Sequence, residues 1–113
     1  MKKKGIIASL FVLCGIFVSC SKMDVEPITC SEEVSLSEDL QPIIDAKCAT
    51  AGCHVSGYWK GDYNDYETIK KHYDKGSLYK KVVVKQTMPK GDVLAQEEID
   101  LWHCWIQAGA PNN

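Results

Sequence analysis

The longest apolar run lies at the start of the chain. It extends from Ile6 to Val18, broken only by Ser9, Cys14 and Gly15, and follows the cluster Lys2, Lys3, Lys4. At about 13 residues it is too short to span a bilayer, and it fits the apolar region of a secretory signal. After a polar stretch with no period, four segments carry helical spacing. Ser35 to Glu38 fits a capping box, with Ser37 and Asp39 as competing caps, and the helix continues through Leu40, Ile43 and Ile44 to about Lys47. Pro42 belongs in its first turn, where no N–H is needed. Residues 54–62 read as a loop. Asn64 or Asp65 caps a helix through Tyr66, Ile69 and Tyr73, and Ser77 caps a short one from Leu78 to about Val83. Val82, Val83 and Val84 have strand propensity, but no partner run exists for them. Residues 85–93 are a loop, and the last helix runs from about Ala95 to Ala108, stopped by Gly109. That helix has two apolar stripes, Ile99, Trp102 and Ile106 on one side and Leu101, Cys104, Trp105 and Ala108 about 150° away. Such a helix is covered on both sides. The fold class expected is all-α.

Composition narrows the function. The 113 residues suit one small domain, and 25% of them are charged. All 13 basic residues are lysine. The absence of arginine argues against nucleic-acid readout and against bidentate phosphate or carboxylate clamps. The apolar run ends Phe17-Val18-Ser19-Cys20, which resembles a bacterial lipobox whose cysteine is lipidated. Ordinary cleavage with Cys20 as a bystander is the alternative. The resulting division is a signal peptide over 1–19, a lipid-anchored tether over 20–34 and a folded domain over 35–113. The mature chain keeps ten lysines against fifteen acidic residues, a net charge of −5. It lies outside the cytoplasm, where thiols become disulfides or bond to something else. A domain this small also needs a staple.

The chemistry sits in Cys48-Ala49-Thr50-Ala51-Gly52-Cys53-His54. Two close cysteines with a histidine directly after the second form the pattern of covalent haem attachment. Each thiol adds across one haem vinyl group, and the histidine is carried under the ring to meet the iron. Four residues separate the cysteines where two are usual. All four are small and Gly52 is permissive, so the spacer can bulge without filling haem space. A Cys48–Cys53 disulfide or a zinc site built on Cys48, Cys53 and His54 are competing readings, although zinc sites usually bring a second close pair.

From this motif outward the chain resembles the small single-haem c-type cytochrome domains of bacterial lipoproteins, some of which carry the four-residue spacer. The matching pieces are Asp39-Leu40-Gln41-Pro42-Ile43-Ile44, the Cys48–His54 motif, Tyr66-Glu67-Thr68-Ile69, Gly76-Ser77-Leu78-Tyr79, Thr87-Met88-Pro89 and Trp105-Ile106-Gln107-Ala108-Gly109-Ala110. The resemblance implies a cytochrome c-like helical domain around one haem c, with His54 as proximal and Met88 as distal iron ligand.

Met88 also stands out among the soft and imidazole candidates. Met23 is in the tether, while Met88 lies in a loop stiffened by Pro89. His72 follows Lys70-Lys71 and reads as a solvated histidine. His103 reads as packing at the edge of the core stripe or giving a hydrogen bond. Tyr58, Trp59 and Tyr63 would wall the haem or pack below it. Two cysteines remain, and a Cys30–Cys104 disulfide would pin a strap from about Ile28 to Val34 over Leu101, Trp105 and Ala108. The expected function is one-electron transfer rather than substrate turnover, by an extracytoplasmic, membrane-anchored lipoprotein. From the net charge alone, its redox partners would present a basic docking surface. The rival readings are a haem protein that binds a gas or peroxide at an open iron position, and a disulfide-stapled structural lipoprotein without a cofactor.

Overall fold

The computed structural model describes residues 26–113. The signal segment, the lipidation site at Cys20 and Met23 lie outside the described residues. Among those described, the chain forms four helices and no strand, and no helix is long and apolar enough to cross a membrane.

Helix α1 is one continuous segment in three stretches, Leu36–Leu40, Gln41–Ile43 and Ile44–Cys48. Ser35 caps it, with Oγ accepting from the Glu38 N–H at 3.2 Å. The reciprocal bond comes from the Ser35 N–H to Asp39 Oδ2 at 2.7 Å, one residue later than a capping box predicts. The cause is the winding. Leu40 N–H reaches back five residues to the Ser35 carbonyl at 3.2 Å, so the first turn is wide. Pro42 therefore sits past the first turn. The wide turn before it accommodates a ring that would otherwise press on the carbonyl four residues back. Leu36, Leu40, Ile43, Ile44 and Cys48 all point into the core, one face at helical spacing.

Helix α2 spans Tyr66–Asp74 and is capped by Asp65, the nearer of the two expected caps. Helix α3 runs through Ser77–Tyr79 and Lys80–Val84. Its cap is Gly76, at φ +68°, and not Ser77. The Ser77 hydroxyl instead donates back to the His72 carbonyl at 3.1 Å, satisfying the end of α2. The three valines are helical: Val82 is buried, and Val84 is exposed. Helix α4 spans Gln96–Gln107. Gly109 takes φ +94°, and the N–H groups of Gly109 and Ala110 return to Ile106 and Trp105, both at 3.0 Å, closing a Schellman motif where the sequence placed the stop.

Helix α4 packs against α1 and α3, with Ile99, Trp102, Trp105 and Ile106 buried. The chain beyond α4 returns to the start of α1. Leu36 N–H donates to Asn113 Oδ1 and Ser37 N–H to the Asn113 carbonyl, each at 2.9 Å. Two N-terminal donors that no helix can satisfy internally are thus met by the other end of the domain. Cys30 and Cys104 lie at disulfide distance, with Cα atoms 5.4 Å apart. The strap contributes Val34, only 7% exposed, to the core. Ala108 is exposed and is not covered by the strap.

Candidate haem-binding cavity

The loop after α1 is folded by its own backbone. Cys53 N–H donates to the Thr50 carbonyl at 2.9 Å, and His54 N–H returns to the Cys48 carbonyl at 3.0 Å. The four-residue spacer is therefore a closed bulge, and Gly52 supplies its φ of +78°. Cys48, at the end of α1, is buried, and Cys53 is half-buried. Neither is in a disulfide.

His54 is oriented by the next turns. Its Nδ1 lies 3.1 Å from the Gly61 carbonyl, which holds the proton on Nδ1 and leaves the Nε2 lone pair for a metal. Gly61 has φ +98°, and a Cβ there would lie 2.5 Å from Thr68 Cγ2. Thr68 cannot swing aside freely, because its Oγ1 is bonded to Asp65 Oδ2 at 3.0 Å. Tyr63 stacks on the imidazole with centroids 3.9 Å apart and planes at 22°. Its hydroxyl shares a 2.8 Å hydrogen bond with His72 Nδ1.

His72 is therefore not a solvated histidine. It faces the Tyr63 hydroxyl, and it lines the same cavity as His54. Neither its helix position nor its lysine neighbours could reveal this, because the contact comes from a loop nine residues earlier. Tyr63 is buried, whereas Trp59 is 76% exposed at the rim. His103 is half-buried, with Nδ1 3.4 Å from the Tyr79 hydroxyl, and does not line the cavity.

The cavity has a volume of about 440 Å³ and is lined by Cys48, Cys53, His54 and Met88, with Leu78, Val82, Leu94 and Trp102 among its apolar walls. That volume lies in the ordinary range for an organic ligand, about 300–1,000 Å³. Met88 is brought in by its backbone, since the N–H groups of Thr87 and Met88 donate to the Lys81 carbonyl at 2.8 and 3.3 Å. Burial lowers the pKa of both His54 and His72, the Gly61 hydrogen bond opposing it at His54, so both imidazoles favour the neutral form. Burial, followed by the charge of Glu98, pushes the Cys48 thiol up to about 11. Cys48 is thus a neutral thiol at neutral pH and not an activated exchange nucleophile. Burial also raises the Tyr63 phenol.

These residues fit a haem c. Two unpaired thiols, an imidazole with Nε2 available and a thioether share one apolar cavity. Among the described residues, no three His, Cys, Asp or Glu side chains converge as a metal cage, as the zinc reading needs. The fully buried Trp102 Nε1–H has no hydrogen-bond partner, and Trp102 lines the cavity. Such an orphan costs about 1–3 kcal/mol. Compared with family models, curated proteins and solved structures, the chain matches none.

Proposed function

We propose that the protein is an extracytoplasmic, lipid-anchored monohaem c-type cytochrome that carries single electrons. The observation that carries this reading is the closed Cys48–His54 loop, which brings two free thiols and an imidazole to one cavity lined also by Met88. Bound there, a haem c would supply reversible exchange between ferrous and ferric iron. Cys48 and Cys53 are the two thioether anchors, and covalent attachment prevents loss of the group outside the cell. His54 presents Nε2 while the Gly61 carbonyl fixes its tautomer. Met88 presents its thioether from a loop held to α3 by the Lys81 carbonyl. Leu78, Val82 and Leu94 exclude water, and the low local polarity is a lever on potential. The test is a pyridine haemochrome assay on protein made with haem-attachment machinery. Wild type should keep one haem through denaturation and acid–ketone extraction. Replacement of both Cys48 and Cys53 with Ala should leave none covalently bound. Haem that extracts from the wild type would refute the assignment.

A further inference from the structure

The described residues include nine lysines and fourteen acidic side chains, yet their distribution around the cavity is one-sided. Lys47, Lys60, Lys81 and Lys90 line it, and no acidic residue does. Lys47 is neutralised by Glu98 at 2.7 Å, while Lys60, Lys81 and Lys90 are exposed. The exposed Trp59 lines the cavity too, with Lys60 Nζ 3.7 Å from its ring centroid. An exposed tryptophan is a common anchor of protein interfaces.

We propose that this rim is a docking surface for an acidic protein, the electron-transfer partner of the cytochrome. The inference rests on the electron-carrier reading above and reverses the partner charge that the net charge suggests. Docking is governed by the field at the contact, and a net-negative chain can present a positive mouth. The position of the N-terminal strap favours a protein over a lipid surface. Cys104, which holds the strap, is two residues and about 200° around α4 from Trp102 in the cavity wall. The chain thus leaves toward its N-terminus from the side of α4 turned away from the cavity.

The experiment uses the mature haem-loaded protein and two probes. The first is hexacyanoferrate(III), a small anion that takes one electron from the reduced protein. The second is a small acidic blue-copper protein, whose binding is followed by calorimetry. Salt from about 0.01 M to about 0.15 M shortens the Debye length from about 30 Å to about 8 Å. Over that range the oxidation rate should fall about threefold or more, because the rim attracts the anion. The triple variant Lys60→Glu, Lys81→Glu, Lys90→Glu should make the rate rise with salt and abolish binding of the acidic protein. The same charge change at Lys70, Lys71 and Lys80, which do not line the cavity, should preserve the wild-type sign. A wild-type rate that rises with salt, or equal effects of the two variants, overturns the proposal. So does rim-dependent binding to phosphatidylglycerol vesicles without binding to the acidic protein, which assigns the rim to lipid. A negative haemochrome assay on the same sample refutes the electron-carrier reading separately, and calorimetry alone then decides the docking surface.

Discussion

Gly61 shows how much a single residue contributes to the site. Its carbonyl fixes His54, its φ of +98° is left-handed, and its missing side chain makes room for Thr68. Gly61→Ala should therefore cost about 1–3 kcal/mol, read from the urea midpoint, because strain and the Thr68 contact act together. The same change should disturb His54 more than a surface substitution of equal cost, visible as a shifted imidazole resonance. Met88→Ala makes a complementary prediction. Haem attachment should survive, since neither thiol is touched, while the sulfur-to-iron charge-transfer band should vanish and the potential fall. A retained band would move the ligand role to another residue. That Cys48, Cys53, His54 and Met88 share one cavity was legible, because residue type and spacing group them. Gly61, Tyr63 and His72 were not, because their roles come from contacts between a loop and α2. A glycine directly before an aspartate carries no sign of whose carbonyl it must aim.

Among the elements, boundaries were more legible than their winding. Gly109 stops α4 where the sequence places the stop, and Asp65 caps α2. What local propensity could not give was the wide first turn of α1, which moved the reciprocal cap from Glu38 to Asp39 and let Pro42 sit deeper. Nor could it decide between Gly76 and Ser77, because Ser77 is engaged by the preceding helix. The joint between α1 and α4 offers an element-level test. Glu98 Oε2 accepts from Lys47 Nζ and from the Ala95 N–H, each at 2.7 Å, tying the start of α4 to the end of α1. The Lys47 bond, with help from Ala95, holds the Glu98 carboxyl below its ordinary value. A depressed carboxyl contributes stability above the unfolded-state value, about 4.3, and loses it as pH falls through the lower folded value. Glu98→Gln should therefore flatten the fall in stability below about pH 4.3, measured as urea midpoint against pH. An unchanged slope would mean that the pair contributes no pH-dependent stability.

At the scale of the whole molecule, the core was largely legible and its closure was not. The stripe Ile99, Trp102, Ile106 and the α1 face are buried as their spacing requires. Asn113 capping α1 joins residues 77 apart and leaves no local trace. The strap stands between these cases. Its cysteine had no other partner in the motif, so the pairing with Cys104 could be reached by elimination, while its packing through Val34 could not. The disulfide links residues 74 apart and so constrains nearly the whole domain in the unfolded state. Loop-closure entropy for a ring of that length gives about 4.5 kcal/mol, an upper figure because unfolded chains retain structure. Small domains have net stabilities of about 5–15 kcal/mol, so this one cross-link can decide whether the apoprotein folds. Replacing Cys30 and Cys104 with Ala, or reducing the wild type, should lower the apoprotein's stability by about 2–5 kcal/mol. On the proposed reading, protein loaded with haem should lose a similar amount yet remain folded, because Cys48, Cys53, His54 and Met88 would then hold the group between α1 and the loop after α3. The measurement is paired urea titrations of both forms, with and without reductant. A change below about 1 kcal/mol in the apoprotein would show that the strap is an accessory to the fold and that the core stands without it.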